Sequence, residues 1–170
     1  MKWHGGDRTM LAMGIDPGTA RTGYGLVKTS GGRLREVKHG VIVTPPEWPT
    51  SRRLTIIHQQ LAALIAEHSP AVVGLEEVFF GRNAPSALTV GEARGVAILA
   101  AGAAGVAVME CTPAEVKQAV TGYGKADKQQ VKFMVRAILG LGQGELAADA
   151  ADALATAICC LHHYQGGRPA

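Results

Sequence analysis

Hydrophobic residues first recur with period two. Leu11, Met13 and Ile15 alternate with small residues, which predicts a short central strand buried on both faces and ending on Asp16. Pro17 and Gly18 stop that strand, because proline lacks a ladder donor and glycine permits positive φ. TGYGLV restarts an extended pattern, so a β-hairpin follows, and Arg33 to Val43 (RLREVKHGVIV) predicts a third strand broken by TPPEWP. The period then changes. Leu54, Ile57, Leu61, Leu64 and Ile65 recur at helical spacing up to Pro70, with Ser51 as the expected N-cap. His58 sits beside that apolar face and reads as a packed histidine. Ala71 to Leu75 (AVVGL) is a second apolar strand, and it ends on Glu76 and Glu77.

VFFGRNAPSA reads as a loop, followed by a helix from Ser86 through Gly91, Gly95 and Leu99 to about Gly102 and a last strand over Val106 to Met109. Thr112, Pro113 and Glu115 form a helix start: threonine N-cap, proline in the first turn, acid at the third position. Two helices joined by TGYGKA follow. The final predicted helix, Leu146 to His163, packs through Ala150, Ala153, Leu154, Ala157, Ile158 and Leu161.

This pattern brings carboxylates together. A helical crossover from the first strand to Ala71–Leu75 is right-handed and makes the two strands parallel, so Asp16 and Glu76 end at one sheet edge. Glu77 alternates to the opposite face and is the weaker candidate. Asp149 and Asp152, three apart, project from one face of the last helix. Alone, Asp16 in Asp-Pro-Gly would read as a turn aspartate. Two carboxylates on an alanine-rich helix are costly if buried and unpaired, and a cation between them and the strand-end acids offsets that cost.

Composition narrows the class. A chain of 170 residues, 47% hydrophobic and 18% charged, suits one globular domain, here residues 10–165, with a flexible extension over 1–9 and a flexible tail over 166–170. The net charge of +3 is modest, but its distribution is not even. Lys117, Lys125, Lys128, Lys132 and Arg136 face a single acid, Asp127, which favours a polyanion track over a merely solvated surface. Three cysteines, Cys111, Cys159 and Cys160, argue against a disulfide framework and for a reducing cytoplasm. Met1 to Thr9 is polar, unlike a secretory signal, and the longest uncharged run, 15 residues from Gly95 to Met109, falls short of the roughly 20 a membrane span needs. Cys159, Cys160, His162 and His163 suggest zinc, but adjacent helical residues diverge by about 100° and no second ligand pair stands at zinc spacing, so zinc is not expected. Asp16, Glu76, Asp149 and Asp152 are hard oxygen donors that suit Mg²⁺ or Mn²⁺. Two such ions about 3.5–4 Å apart can hydrolyse a phosphodiester.

Strand-end Asp, strand-end Glu and a C-terminal Asp-x-x-Asp helix resemble the wiring of an RNase H-like nuclease. The resemblance is specific in GIDPGTARTGYG (14–25), LEEVFFGRNAPSALTVGEARGVA (75–97), VKQAVTGYGKADKQQV (116–131) and DAADALATAI (149–158), which look like the RuvC family of Holliday-junction resolvases. It runs in order from about Leu11 to His163. It implies an α/β, RNase H-like fold, a mixed five-stranded sheet with helices on both faces, and a homodimer that binds four-way DNA junctions and nicks two opposed strands symmetrically. By position it implies Asp16, Glu76, Asp149 and Asp152 as catalytic metal ligands for Mg²⁺ or Mn²⁺, two ions per site. Lys117 and Lys128 match the basic residues near the scissile phosphate and Phe79 matches an aromatic wedge, with Phe80 a second aromatic beside it. Arg82, Asn83, Lys125 and Lys132 are further expected DNA contacts, and the RuvA-RuvB branch-migration complex an expected partner.

Three other classes fit less well. An actin-like ATPase also follows a strand with Asp-x-Gly-Thr, but needs two such domains around an adenosine pocket. The shorter RuvC-like nucleases of ribosomal RNA processing share the opening motif without the FFGRNAPSAL loop and downstream lysines. A structure-specific DNA-binding module without catalysis gains nothing from four carboxylates beside phosphates, where like charges repel.

Overall fold

Strand β1, Leu11–Asp16, is the hub. It pairs antiparallel with β2 (Arg21–Ser30) and parallel with β4 (Val72–Glu76). β3 (Arg33–Val43) and β5 (Ala107–Cys111) complete a five-stranded mixed sheet in the order β3-β2-β1-β4-β5. The computed structural model describes residues 9–78 and 84–165. Phe79, Phe80, Arg82 and Asn83 therefore lie outside the described residues.

Strand alternation divides the interior into two layers. Met13 and Ile15 of β1, Leu26 of β2 and Val73 and Leu75 of β4 face one side. There they pack on Ile57, Leu61 and Ile65 of α1 (Thr50–His68) and Ala97 and Ala101 of α2 (Ala84–Ala103). Ala12, Val27 and Val72 face the other side, toward α3 (Pro113–Thr121), α4 (Lys128–Leu139) and α5 (Ala148–Gln165). Each fully buried Leu, Ile or Met contributes about 1.5–3 kcal/mol relative to exposure, so both layers hold the sheet and helices cover both its faces.

Helix α5 lies directly on the sheet because the strands beneath it carry glycine. A Cβ at Gly14 of β1 would run into the Ala153 carbonyl, and one at Gly23 of β2 into the Asp149 carbonyl. Both obstacles are backbone, so no side-chain rotation relieves them. The helix bearing both aspartates is thereby seated against the strand bearing Asp16.

Several expected boundaries differ: β4 runs Val72–Glu76 rather than Ala71–Leu75, β5 runs Ala107–Cys111 rather than Val106–Met109, and α2 starts at Ala84 rather than Ser86. Helix α1 starts at Thr50, its N-cap is Pro49, and no side chain caps it; Ser51 is already inside the first turn. The Pro49 carbonyl instead accepts from the Arg52 and Arg53 amides, and proline's fixed φ of −61° places it there without a hydroxyl. Helix α5 starts at Ala148 rather than Leu146, whose side chain is buried in the core. The start of α3 is as expected: Thr112 Oγ1 accepts from the Glu115 amide at 3.1 Å, and Glu115 Oε2 accepts from the Thr112 amide at 2.8 Å. His58 is half-buried beside the apolar face of α1.

Candidate active site

Parity places the strand-end acids. Ala12, Gly14 and Asp16 share the α5 face of β1, as Val72, Gly74 and Glu76 share that face of β4. Ile15 pairs with Leu75 in parallel register, so Asp16 and Glu76 leave the sheet side by side. Asp152 reaches them from α5. All three line one cleft of about 310 Å³, with Lys117 of α3 and Lys128 of α4 on its rim and Val90, Val116, Val131 and Ala155 among its apolar walls. Glu77 lines the cleft as well, although it alternates away from Glu76.

The carboxyl groups register their crowding. Burial pushes Asp16 up from 3.8 to about 7, helped by the negative charges of Asp152, Asp149 and Glu76 and opposed by Lys128. Glu76 is raised by burial and by Asp152, against Lys117 and Lys128. Asp152 is raised by burial, with Lys128 opposing and Asp149 adding to the rise. Lys128 Nζ stands 4.0 Å from Asp152 Oδ2, but its side chain is 87% exposed and neutralises little.

Asp149 is held apart. Arg21 Nε donates to Asp149 Oδ2 at 2.7 Å, so this acid borders the cleft rather than lining it. Sequence reading missed Arg21; its only signal was a basic residue at the end of the turn after Asp16. It also missed Arg94, which donates to the Glu76 carbonyl at 2.8 Å and pairs with Glu110 at 2.9 Å, fixing the end of β4 from α2. The turn after Asp16 is tied down by Thr22, which donates to the Gly18 carbonyl at 2.6 Å, and by Thr19, which donates to the Thr89 carbonyl of α2 at 3.1 Å.

The basic track is only partly assembled at the cleft. Lys125 is exposed in the α3–α4 link and Lys132 half-buried one turn beyond Lys128. Arg136 turns away: its guanidinium donates to the Gly142 and Gly144 carbonyls, both at 2.6 Å, and closes the loop after α4.

The chemistry is that of hard cations. The described residues lining the cleft offer carboxylate oxygens and no thiol or imidazole, and the proton affinity of Asp16 and Glu76 is raised first by burial and then by neighbouring negative charge. Divalent cations fit that donor set, with Asp16, Glu76, Asp152 and the adjoining Asp149 as the groups that would hold them.

Comparison with known proteins decides the family. The profile of the family described as crossover junction endodeoxyribonuclease RuvC matches residues 12–160. The chain belongs to the RuvC family. It is 51% identical to crossover junction endodeoxyribonuclease RuvC of Syntrophomonas wolfei over 156 residues, covering 92% of this chain and 91% of that protein. The RuvC protein of Rubrobacter xylanophilus is 52% identical, with coverage of 91% and 87%. The solved structure of Thermus thermophilus RuvC in complex with Holliday junction substrate is similar at TM-score 0.88 and 38% identity, covering 94% of this chain and 97% of that one. RuvC membership makes this chain a divalent-metal-dependent endodeoxyribonuclease with an RNase H-like sheet. Among the described residues no helix is long and apolar enough to cross a membrane.

Proposed function

We propose that this chain resolves four-way DNA junctions by nicking two opposed strands, with Asp16, Glu76, Asp149 and Asp152 holding two Mg²⁺ or Mn²⁺ ions. The observation that carries the reading is the convergence of Asp16, Glu76 and Asp152 in one cleft rimmed by Lys117 and Lys128. Bound there, the cations supply Lewis-acid chemistry, activating water and stabilising the leaving oxygen of a phosphodiester. The chain does the rest. Lys117 and Lys128 draw the phosphate toward a cleft that its own acids would repel. The apolar walls thin the water around the reacting phosphate and strengthen each charge interaction. Arg21 restrains Asp149, and Arg94 restrains the strand end bearing Glu76. Lys125 and Lys132 extend the phosphate track beyond the rim. Phe79 follows Glu76 by three residues, and an apolar wedge there, backed by Phe80, favours a branch already partly unstacked over intact duplex. Arg82 and Asn83 are further proposed DNA contacts.

Symmetric nicking calls for two identical sites, which a two-fold homodimer supplies. Helix α2 is the proposed face. Leu88 and Leu99 are 67% and 59% exposed, and Gly91 and Gly95 fall on the same stripe. A Cβ at either glycine would meet nothing described within 4 Å, so packing among the described residues does not require them to be small. The RuvA-RuvB branch-migration complex is the partner that the family resemblance supplies.

Asp16→Asn and Glu76→Gln are each expected to abolish cleavage of a synthetic four-way junction in Mg²⁺ or Mn²⁺. Binding of the same junction should stay intact or tighten, because a repulsive charge is gone. Wild-type cleavage by Asp16→Asn would overturn the assignment.

A further inference from the structure

The far end of β5 carries a second cluster of ligating side chains. Cys111 ends that strand beside Glu76, its parallel-register partner, and its side chain points to the α5 face. From α5, the Cys160 Sγ lies 3.9 Å from Cys111 Sγ and the His163 Nδ1 lies 4.0 Å from it. Cys159 Sγ is 4.0 Å from His163 Nε2. One ligand atom from each of Cys111, Cys159 and His163 falls within 4.8 Å of the others. The last helix alone could not build such a site; the missing ligand arrives from a strand nearly fifty residues earlier.

We propose that Cys111, Cys159 and His163 bind a thiophilic divalent cation of the zinc type, which pins β5 to α5. A tetrahedral ion with thiolates at about 2.3 Å and an imidazole at about 2.0 Å needs S–S and S–N separations of about 3.5–3.8 Å. Cys111 and Cys159 approach opposite nitrogens of the His163 ring; with one atom from each residue the three ligands lie within 4.8 Å of one another, so binding draws them together by about 1 Å. A fourth donor stands nearby. Glu115 Oε1 is 4.0 Å from His163 Nε2, while its Oε2 is occupied by the α3 cap, so coordination would join α3 as well. Both thiols are buried, whereas the His163 side chain is 22% exposed and gives an ion its way in. The donors separate this site from the carboxylate cleft, since sulfur and imidazole select zinc-like ions where oxygen selects magnesium-like ones.

The test uses the full chain, reduced and stripped of metal, titrated with Co²⁺. The expected result is a thiolate-to-cobalt charge-transfer absorption in the near ultraviolet that saturates at one equivalent, is displaced by Zn²⁺ and persists in Asp16→Asn. His163→Gln, at a partly exposed position that should still fold, is expected to weaken binding at least tenfold, and Cys159→Ser to do the same. One equivalent of Zn²⁺ should raise the melting temperature of the wild type by more than that of His163→Gln, which keeps only the carboxylate cleft. Folded wild type without a sulfur-to-cobalt band, or with an equal band in His163→Gln and Cys159→Ser, would overturn the proposal and leave a hydrogen-bonded thiol cluster.

Discussion

Asp16 holds the most costly charge in the cleft, and removing it should stabilise the metal-free protein. Its carboxyl is pushed from 3.8 to about 7, first by burial, then by Asp152, Asp149 and Glu76. A raised carboxyl binds its proton more tightly in the folded chain than in the unfolded one. The folded protein therefore loses stability as pH climbs from about 4 through about 7, and carries the whole penalty above that. The full rise corresponds to about 4 kcal/mol against the ionised form. Asn keeps the shape and drops the charge, but its NH₂ needs a hydrogen-bond acceptor that costs part of the gain. An increase of about 2 kcal/mol in unfolding free energy is expected for Asp16→Asn at pH 8 in chelator, falling toward zero near pH 4. Urea unfolding followed by circular dichroism, at matched protein concentration and at both pH values, measures it. Saturating Mg²⁺ or Mn²⁺ should reverse the order, because only the wild type then gains binding energy in the folded state. An equal difference between the two proteins at pH 4 and pH 8 would refute the argument, as it would trace the effect to packing rather than charge.

Gly23→Ala should destabilise by about 3 kcal/mol in the same assay and depress cleavage with it, since the new methyl meets the Asp149 carbonyl and lifts α5. Lys128→Ala should lower the slope of log binding constant against log salt by about 0.9, one phosphate's worth. Lys117→Ala, whose charge acts on Glu76, should cut the cleavage rate more than the affinity; normal cleavage would return it to a solvated surface. Gly95→Glu, placed where nothing described lies within 4 Å, should leave the fold intact and yield monomers by sedimentation, whereas an intact dimer would remove α2 from the interface.

Local chemistry wrote itself plainly in the sequence. The alternation of Leu11, Met13 and Ile15, the helical spacing from Leu54 to Ile65 and the Thr112–Glu115 cap each depend on neighbours a few residues away, and each stands where the pattern put it. The pairing of Asp16 with Glu76 was also legible, because handedness leaves one way for a helical crossover to return beside its strand. The start of α1 misled, since a proline carbonyl replaced the hydroxyl that Ser51 offered. Contacts between elements were beyond reach. Arg21 and Asp149 are 128 residues apart, and Cys111 lies about fifty from the thiols and imidazole it joins. Whether such groups meet depends on how closely α5 sits on the sheet and at what rotation. Gly14 and Gly23 decide that by leaving room for helix backbone, and glycine in a strand carries no pattern from which a helix above it can be read.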